Sequence, residues 1–172
     1  MALLILVLRW CDERRYLEYG SKKIQLRNIG RFADLTVPLA TESINGCNIT
    51  VFVGNNGAGK TTLLKSLSTA LSWLVARLRR DKGNGRSIAE IEIKNGQNDA
   101  RLTLQLAHSL FENTDCHWSL AKTRQGRMAS QKSELADVTR LAAYYRESLT
   151  LNDSAALPLI CFYSVERYVD EP

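Results

Sequence analysis

The chain has 172 residues, 45% of them hydrophobic and 24% charged, with a formal net charge of +5. Such a composition excludes a wholly disordered chain and is long enough for one packed core. The positive balance favours an anionic partner; a nucleotide alone accounts for part of it, so nucleic acid is permitted and not required.

Cys11, Cys47, Cys116 and Cys161 are scattered, with no C-x-x-C pair, and His108 and His117 stand at no ligand-like spacing. That pattern argues against a zinc site or a disulfide framework and fits a reducing, cytoplasmic compartment. The apolar segment from Met1 to Trp10 is too short to span a bilayer. It has no positive region before it and no small-residue cleavage site after it, so it does not read as a signal peptide. Polar residues from Cys11 to Arg15 follow, and the recognisable fold is expected to begin near Lys22. Residues 1–21 are therefore set apart as an N-terminal extension, with an extra edge strand as the alternative, and residues 22–172 are expected to form one lobe.

From Lys23 to Ile29 apolar and polar residues alternate as in a half-buried strand. Gly30 and Arg31 make a turn, and a second alternating run from Phe32 to Leu39 completes a hairpin. Ile49 to Val53 is a near-continuous apolar run, the pattern of a strand buried on both faces of a parallel sheet. It leads into Gly54-Asn55-Asn56-Gly57-Ala58-Gly59-Lys60-Thr61, a full match to the G-x-x-x-x-G-K-[ST] phosphate loop. A helix is expected from Gly59 to about Leu78, because Leu64, Leu67, Leu71 and Leu74 recur at helical spacing.

The chemistry of such a loop follows from its residue types. Glycines at 54, 57 and 59 free backbone N–H groups to wrap a phosphate chain, and the helix behind them points its positive end at the same charge. Lys60 is placed to reach the β- and γ-phosphates and Thr61 to offer its hydroxyl to Mg²⁺. Thr62, one residue deeper, is placed to approach the α-phosphate. ATP and Mg²⁺ are the expected cofactors.

Arg77, Arg79, Arg80, Lys82 and Arg86 crowd a short polar stretch with Gly83 and Gly85, which reads as an exposed, mobile loop or as a nucleic-acid contact. Ile88 to Lys94 is open between strand and short helix. Alternating runs at Arg101–Leu106 and His117–Lys122 suggest a small antiparallel sheet inserted after the first helix. A long amphipathic helix is expected over 130–149, on Leu135, Val138, Ala142, Tyr145 and Leu149, ending near Asn152. Leu157 to Tyr163 is a second buried-strand run.

The hairpin Ile24-Gln-Leu-Arg-Asn-Ile-Gly-Arg-Phe, standing about two dozen residues before Gly-Asn-Asn-Gly-Ala-Gly-Lys-Thr, resembles the opening of the RecF/SMC-type, ABC-like P-loop ATPases. That group includes DNA repair ATPases and ATPase subunits of bacterial anti-phage systems. The likeness covers residues 22–80 well and continues more loosely beyond. It implies an α/β fold: the N-terminal lobe of an ABC/SMC-type head, a mixed sheet with an inserted antiparallel subdomain. In that family the hairpin turn packs beside the nucleotide, which places Arg31, and with it Phe32, near the adenine and ribose. The family's Q-loop glutamine has no counterpart, since Ser164, Glu166 and Arg167 occupy its place. Neither a Ser-Gly-Gly-like signature nor an apolar strand ending in Asp-Glu is present, because Asp170-Glu171 follows Arg167-Tyr168-Val169. The expectation is thus ATP binding by the lobe of a larger ATPase, with no catalytic residue in this chain and hydrolysis dependent on a C-terminal lobe. Implied partners are a second ATPase head, as in a homodimer, and a nucleic acid or nuclease. The alternative is a non-catalytic remnant or split-protein module that acts by protein interaction.

Overall fold

The computed structural model describes residues 8–9, 20–39, 50–111, 115–128, 131–155 and 157–162. In chain order these form β1 (Leu8–Arg9), β2 (Gly20–Ile29), β3 (Phe32–Pro38), α1 (Lys60–Arg79), β4 (Asp99–Ala107), β5 (Cys116–Thr123), α2 (Ala136–Leu151) and β6 (Leu159–Ile160). Short 3₁₀ turns lie at Glu90–Glu92 and Ser109–Phe111.

The alternating runs become strands because a period of two puts every second side chain on one face. In β4 the alternation is unbroken, with Ala100, Leu102, Leu104 and Leu106 all buried. Antiparallel pairing then aligns the apolar sets. Ile24 and Leu26 of β2 lie opposite Leu104 and Leu102, which in turn face Trp118 and Leu120 of β5. The result is one four-stranded antiparallel sheet in the order β3-β2-β4-β5.

That order corrects the sequence reading in two respects. The strands after the first helix do not make a sheet of their own, because β4 docks directly on β2 and extends the opening hairpin. Nor is the sheet mixed: every strand pair among the described residues is antiparallel.

Both helices lie on the apolar face. α1 buries Leu63, Leu64, Leu67, Ala70, Leu71 and Leu74, and α2 buries Val138, Leu141, Ala142 and Tyr145, all at intervals of three and four or their neighbours. Trp118 is fully buried between sheet and helix, and its indole N–H donates to the Ala70 carbonyl of α1 at 3.0 Å. The outer face of the sheet is polar. There Arg101 donates to Ser119 Oγ and Gln131 Oε1 and pairs with Glu134, each at 2.8–2.9 Å.

The two apolar runs read as buried strands come out differently. Residues 50–53 form no strand; Val51 and Val53 are 54% and 82% exposed, while Phe52 packs partly against the core. An apolar run becomes a strand only when a neighbour takes up its amides and carbonyls, and none of the described strands pairs with this one. In the run read as Leu157 to Tyr163, whose described residues are 157–162, only Leu159–Ile160 of these is strand, and its partner is Leu8–Arg9, antiparallel, with Leu8 opposite Ile160. Of the stretch 1–21 set apart in the sequence, Leu8–Arg9 thus pairs with β6, and Gly20 and Ser21 already belong to β2. Ile49, the Q-loop region 163–167, Asp170-Glu171, Cys11 and Cys47 lie outside the described residues.

Candidate functional site

Residues 54–59 leave the core as an exposed loop and enter α1 through Gly59, whose φ of +95° is a left-handed conformation. Gly57 is also left-handed, with φ +77°. Side-chain-bearing residues seldom adopt this region, so the two glycines let the loop curl back on itself. Within the curl the Ala58 N–H donates to the Asn55 carbonyl at 3.1 Å.

Lys60, the first residue of α1, folds over the loop and donates its ammonium to the carbonyls of Gly54 and Asn55 at 2.6 and 2.9 Å. The Leu63 N–H returns to the Gly59 carbonyl at 3.0 Å, so helix geometry leaves the amides before it without an intrahelical acceptor. No acidic residue occupies the first turn of α1, which keeps its positive end uncompensated. Thr61 is exposed there, next to Lys60.

The turn of the β2–β3 hairpin closes the other side. The Arg31 guanidinium donates to the Gly57 carbonyl. Phe32 lies against Gly59 so closely that a Cβ there would overlap its ring. Gly30 meets Thr62 in the same way: an added Cβ would come within 2.9 Å of Thr62 Cγ2. A cavity of about 330 Å³ results, lined by Arg31 and residues 56–62. Gly54 and Asn55 stand behind it as acceptors for Lys60.

The structure therefore brings Arg31, Phe32 and the whole loop together. Arg31 reaches the loop through a backbone carbonyl, and the Thr62 side chain is shared between the cavity and Gly30. The donor set of ammonium, guanidinium, hydroxyl and helix amides suits an anionic phosphate chain. For a magnesium ion the lining offers the Thr61 hydroxyl but no carboxylate, so most of its ligands would be phosphate oxygens and water.

Of the stretch Ile88 to Lys94, open between strand and short helix in the sequence, Glu90–Glu92 is a short 3₁₀ helix, and the segment Glu90–Lys94 joins the hairpin turn, a contact the sequence does not show. The Glu92 carbonyl accepts from the Gly30 N–H at 2.7 Å, the Lys94 N–H donates to the Asn28 carbonyl at 2.9 Å, and Ile93 bridges Ile29. Ile88 and Ile93 are buried in this stretch, whereas Ile91 is 92% exposed.

Other candidate groups are placed away from this cavity. Arg77 is engaged with the Leu135 carbonyl and lies over the Trp73 ring. Arg79, Arg80, Lys82 and Arg86 are exposed, yet their loop is tied back: Trp73 Nε1 donates to the Arg86 carbonyl at 2.8 Å, and Asp81 pairs with Arg146 at 2.6 Å. Cys116 is buried, and that burial, reinforced by the nearby Asp137 carboxylate and opposed by Arg140, pushes its thiol up to about 12, which makes it inert. Among the described residues no cluster of His, Cys, Asp or Glu could hold a metal ion, and no helix is long and apolar enough to cross a membrane.

A family model described as an AAA domain matches residues 23–171. The chain belongs to that family. The Retron Vc95 probable ATPase of Vibrio cholerae serotype O1 biovar El Tor is 32% identical over 155 residues, 87% of this chain and 29% of that protein. The Retron Ec83 probable ATPase of Escherichia coli is 29% identical over 147 residues, 86% of this chain and 26% of that protein. The chain thus spans less than a third of the length of the curated relatives it matches. The resemblance to ABC/SMC-like P-loop ATPases drawn from the hairpin and loop agrees with this AAA domain family and with both relatives.

Proposed function

We propose that this chain binds ATP through residues 54–62, as part of an ATPase of an anti-phage system of the retron type. One observation carries the reading: a glycine-curled loop, an ammonium folded over it and an uncompensated helix end converge on one cavity. Lys60 would neutralise the terminal phosphates, the loop amides would hold the chain, and the Thr61 hydroxyl would orient Mg²⁺. The ion, when bound, supplies charge neutralisation across the β- and γ-phosphates. The retron names of both relatives favour a defence role over DNA repair. The exposed Arg79, Arg80, Lys82 and Arg86 form the surface such a system would turn toward a nucleic acid. Hydrolysis needs a carboxylate that the cavity lining lacks, so a second lobe or head would have to contribute it, with further transition-state donors.

The test is a titration of the chain with a fluorescent ATP analogue, with and without Mg²⁺, beside Lys60→Ala. Saturable binding that the variant loses by at least roughly a hundredfold is expected, on the scale of an uncompensated phosphate contact. Equal affinity in the two proteins would overturn the reading.

A second reading, an interaction module that binds no nucleotide, is favoured by one observation: Val51 and Val53 are exposed on a segment with no described strand partner. It predicts self-association in sedimentation that ATP does not alter.

A further inference from the structure

The hairpin turn is held from two sides. On one side it touches the phosphate loop at three consecutive residues: Gly30 against Thr62, Arg31 on the Gly57 carbonyl and Phe32 against Gly59. On the other side the segment 90–94 grips its backbone. Besides the two backbone bonds at Gly30 and Asn28, Lys94 donates its ammonium to the Arg31 carbonyl at 2.9 Å. The grip is itself anchored, because Arg124 at the end of β5 donates to the Ile93 and Gln97 carbonyls at 3.0 and 2.8 Å.

A turn this tight needs such support. Asn28 and Gly30 both take positive φ, +54° and +55°, on either side of the last residue of β2. For asparagine the left-handed region carries a backbone cost, which the surrounding bonds must offset.

We propose that the hairpin turn is a splint that pre-forms the phosphate loop, and that Lys94 is the residue that positions it. The proposal rests on the ATP-binding reading. A glycine-rich loop loses much conformational entropy when it orders around a ligand. Contacts that order it beforehand remove that cost from binding and so raise affinity. Arg31 serves this purpose through the Gly57 peptide, whose carbonyl accepts its guanidinium. Lys94 touches neither loop nor cavity, yet its bond to the Arg31 carbonyl sets where that guanidinium stands. Lys94 is thus a positioning residue for the nucleotide site.

The experiment uses the full chain and a fluorescent ATP analogue with Mg²⁺, applied to Lys94→Met, Lys94→Arg, Arg31→Ala and the Arg31→Ala/Lys94→Met double variant. Lys94→Met should raise Kd roughly tenfold, the scale of one charge-assisted hydrogen bond, while the thermal midpoint stays put. Lys94→Arg, which keeps a cationic donor, should restore most of the affinity. The double variant should lose less affinity than the product of the two single losses, because the bond from Lys94 to the Arg31 carbonyl acts in part by placing the Arg31 guanidinium. Wild-type affinity in Lys94→Met, or additive losses in the double variant, would overturn the proposal. Should Lys94→Met fail to fold, Arg31→Ala reads the splint from its other end, and unchanged affinity there overturns it equally. The Lys60→Ala control separates the two readings. Binding lost in Lys60→Ala but kept in Lys94→Met removes only the splint, whereas wild-type protein that never binds removes the ATP reading and the splint together.

Discussion

Strand β4 and the segment 50–53 are both apolar runs, and they meet opposite fates. Leu102 and Leu104 of β4 are buried between two neighbouring strands and beneath the helices, whereas Val51 and Val53 stand in solvent with no ladder. Hydrophobicity alone did not decide this. β4 presents apolar residues on one face only and finds β2 and β5 on its two edges, so the described residues satisfy its backbone and cover its face. The run at 50–53 has apolar residues on successive positions and would need cover on both faces and on both edges. The contrast teaches that the same apolar character is satisfied by the described residues in one part of this chain and left exposed by them in another.

The sharpest way to break that contrast is at the centre of the satisfied part. Trp118→Ala removes a fully buried ring that also holds α1 through the Ala70 carbonyl. It should cost about 3–5 kcal/mol in denaturant unfolding, enough to unfold a marginal domain. A loss below about 1 kcal/mol would mean that sheet and α1 do not form one core.

A smaller effect is expected from acid. His108 accepts the Leu110 N–H at Nδ1, 3.0 Å away, so its Nε2 carries the proton toward the Tyr145 hydroxyl at 2.9 Å. Burial lowers its pKa from 6.5 to about 4. The unfolded chain therefore takes up the proton first, and the neutral ring's stability is whole above pH 6.5 and drains away as pH falls toward 4. The decline should not exceed about 1.4 kcal/mol per pH unit from this group. His108→Gln should flatten the urea midpoint across that window, and an undiminished slope in the variant would assign the acid sensitivity elsewhere.

The smallest effect belongs to the other region. Val53→Ser should change stability by no more than about 0.5 kcal/mol, as at an ordinary exposed site, while reducing any self-association. A loss above about 1.5 kcal/mol in the isolated chain would show that Val53 is already covered and would erase the contrast.

Much of this was legible in the sequence for a physical reason: local periodicity survives folding. The opening hairpin, α1 with its leucines, and α2 from Val138 to Tyr145 all carry their period within a few turns or one strand. The curl of residues 54–60 was legible because its glycines and Lys60 are contiguous. What stayed hidden depends on neighbours far along the chain. The docking of β4 on β2 joins residues such as Ile24 and Leu104, and nothing in either run names the other. The same holds for Lys94 and Arg31. Residues 49–53 carried the pattern of a buried strand, but a pattern states what a segment can bury and not whether its neighbours are present.

The pairing of Ile24 with Leu104 also sets an order of assembly. The loop 54–61 and α1 lie inside the chain segment that this pairing closes, and closing a long segment is the slow, entropically opposed step of folding. During synthesis the hairpin and α1 can form early, but the grip of residues 90–94 on the hairpin turn must wait until the chain has passed Lys94, and the docking of β4 until it has passed Ala107. A nascent chain therefore carries all the residues of the loop 54–61 well before the hairpin turn that packs against that loop is held from both sides.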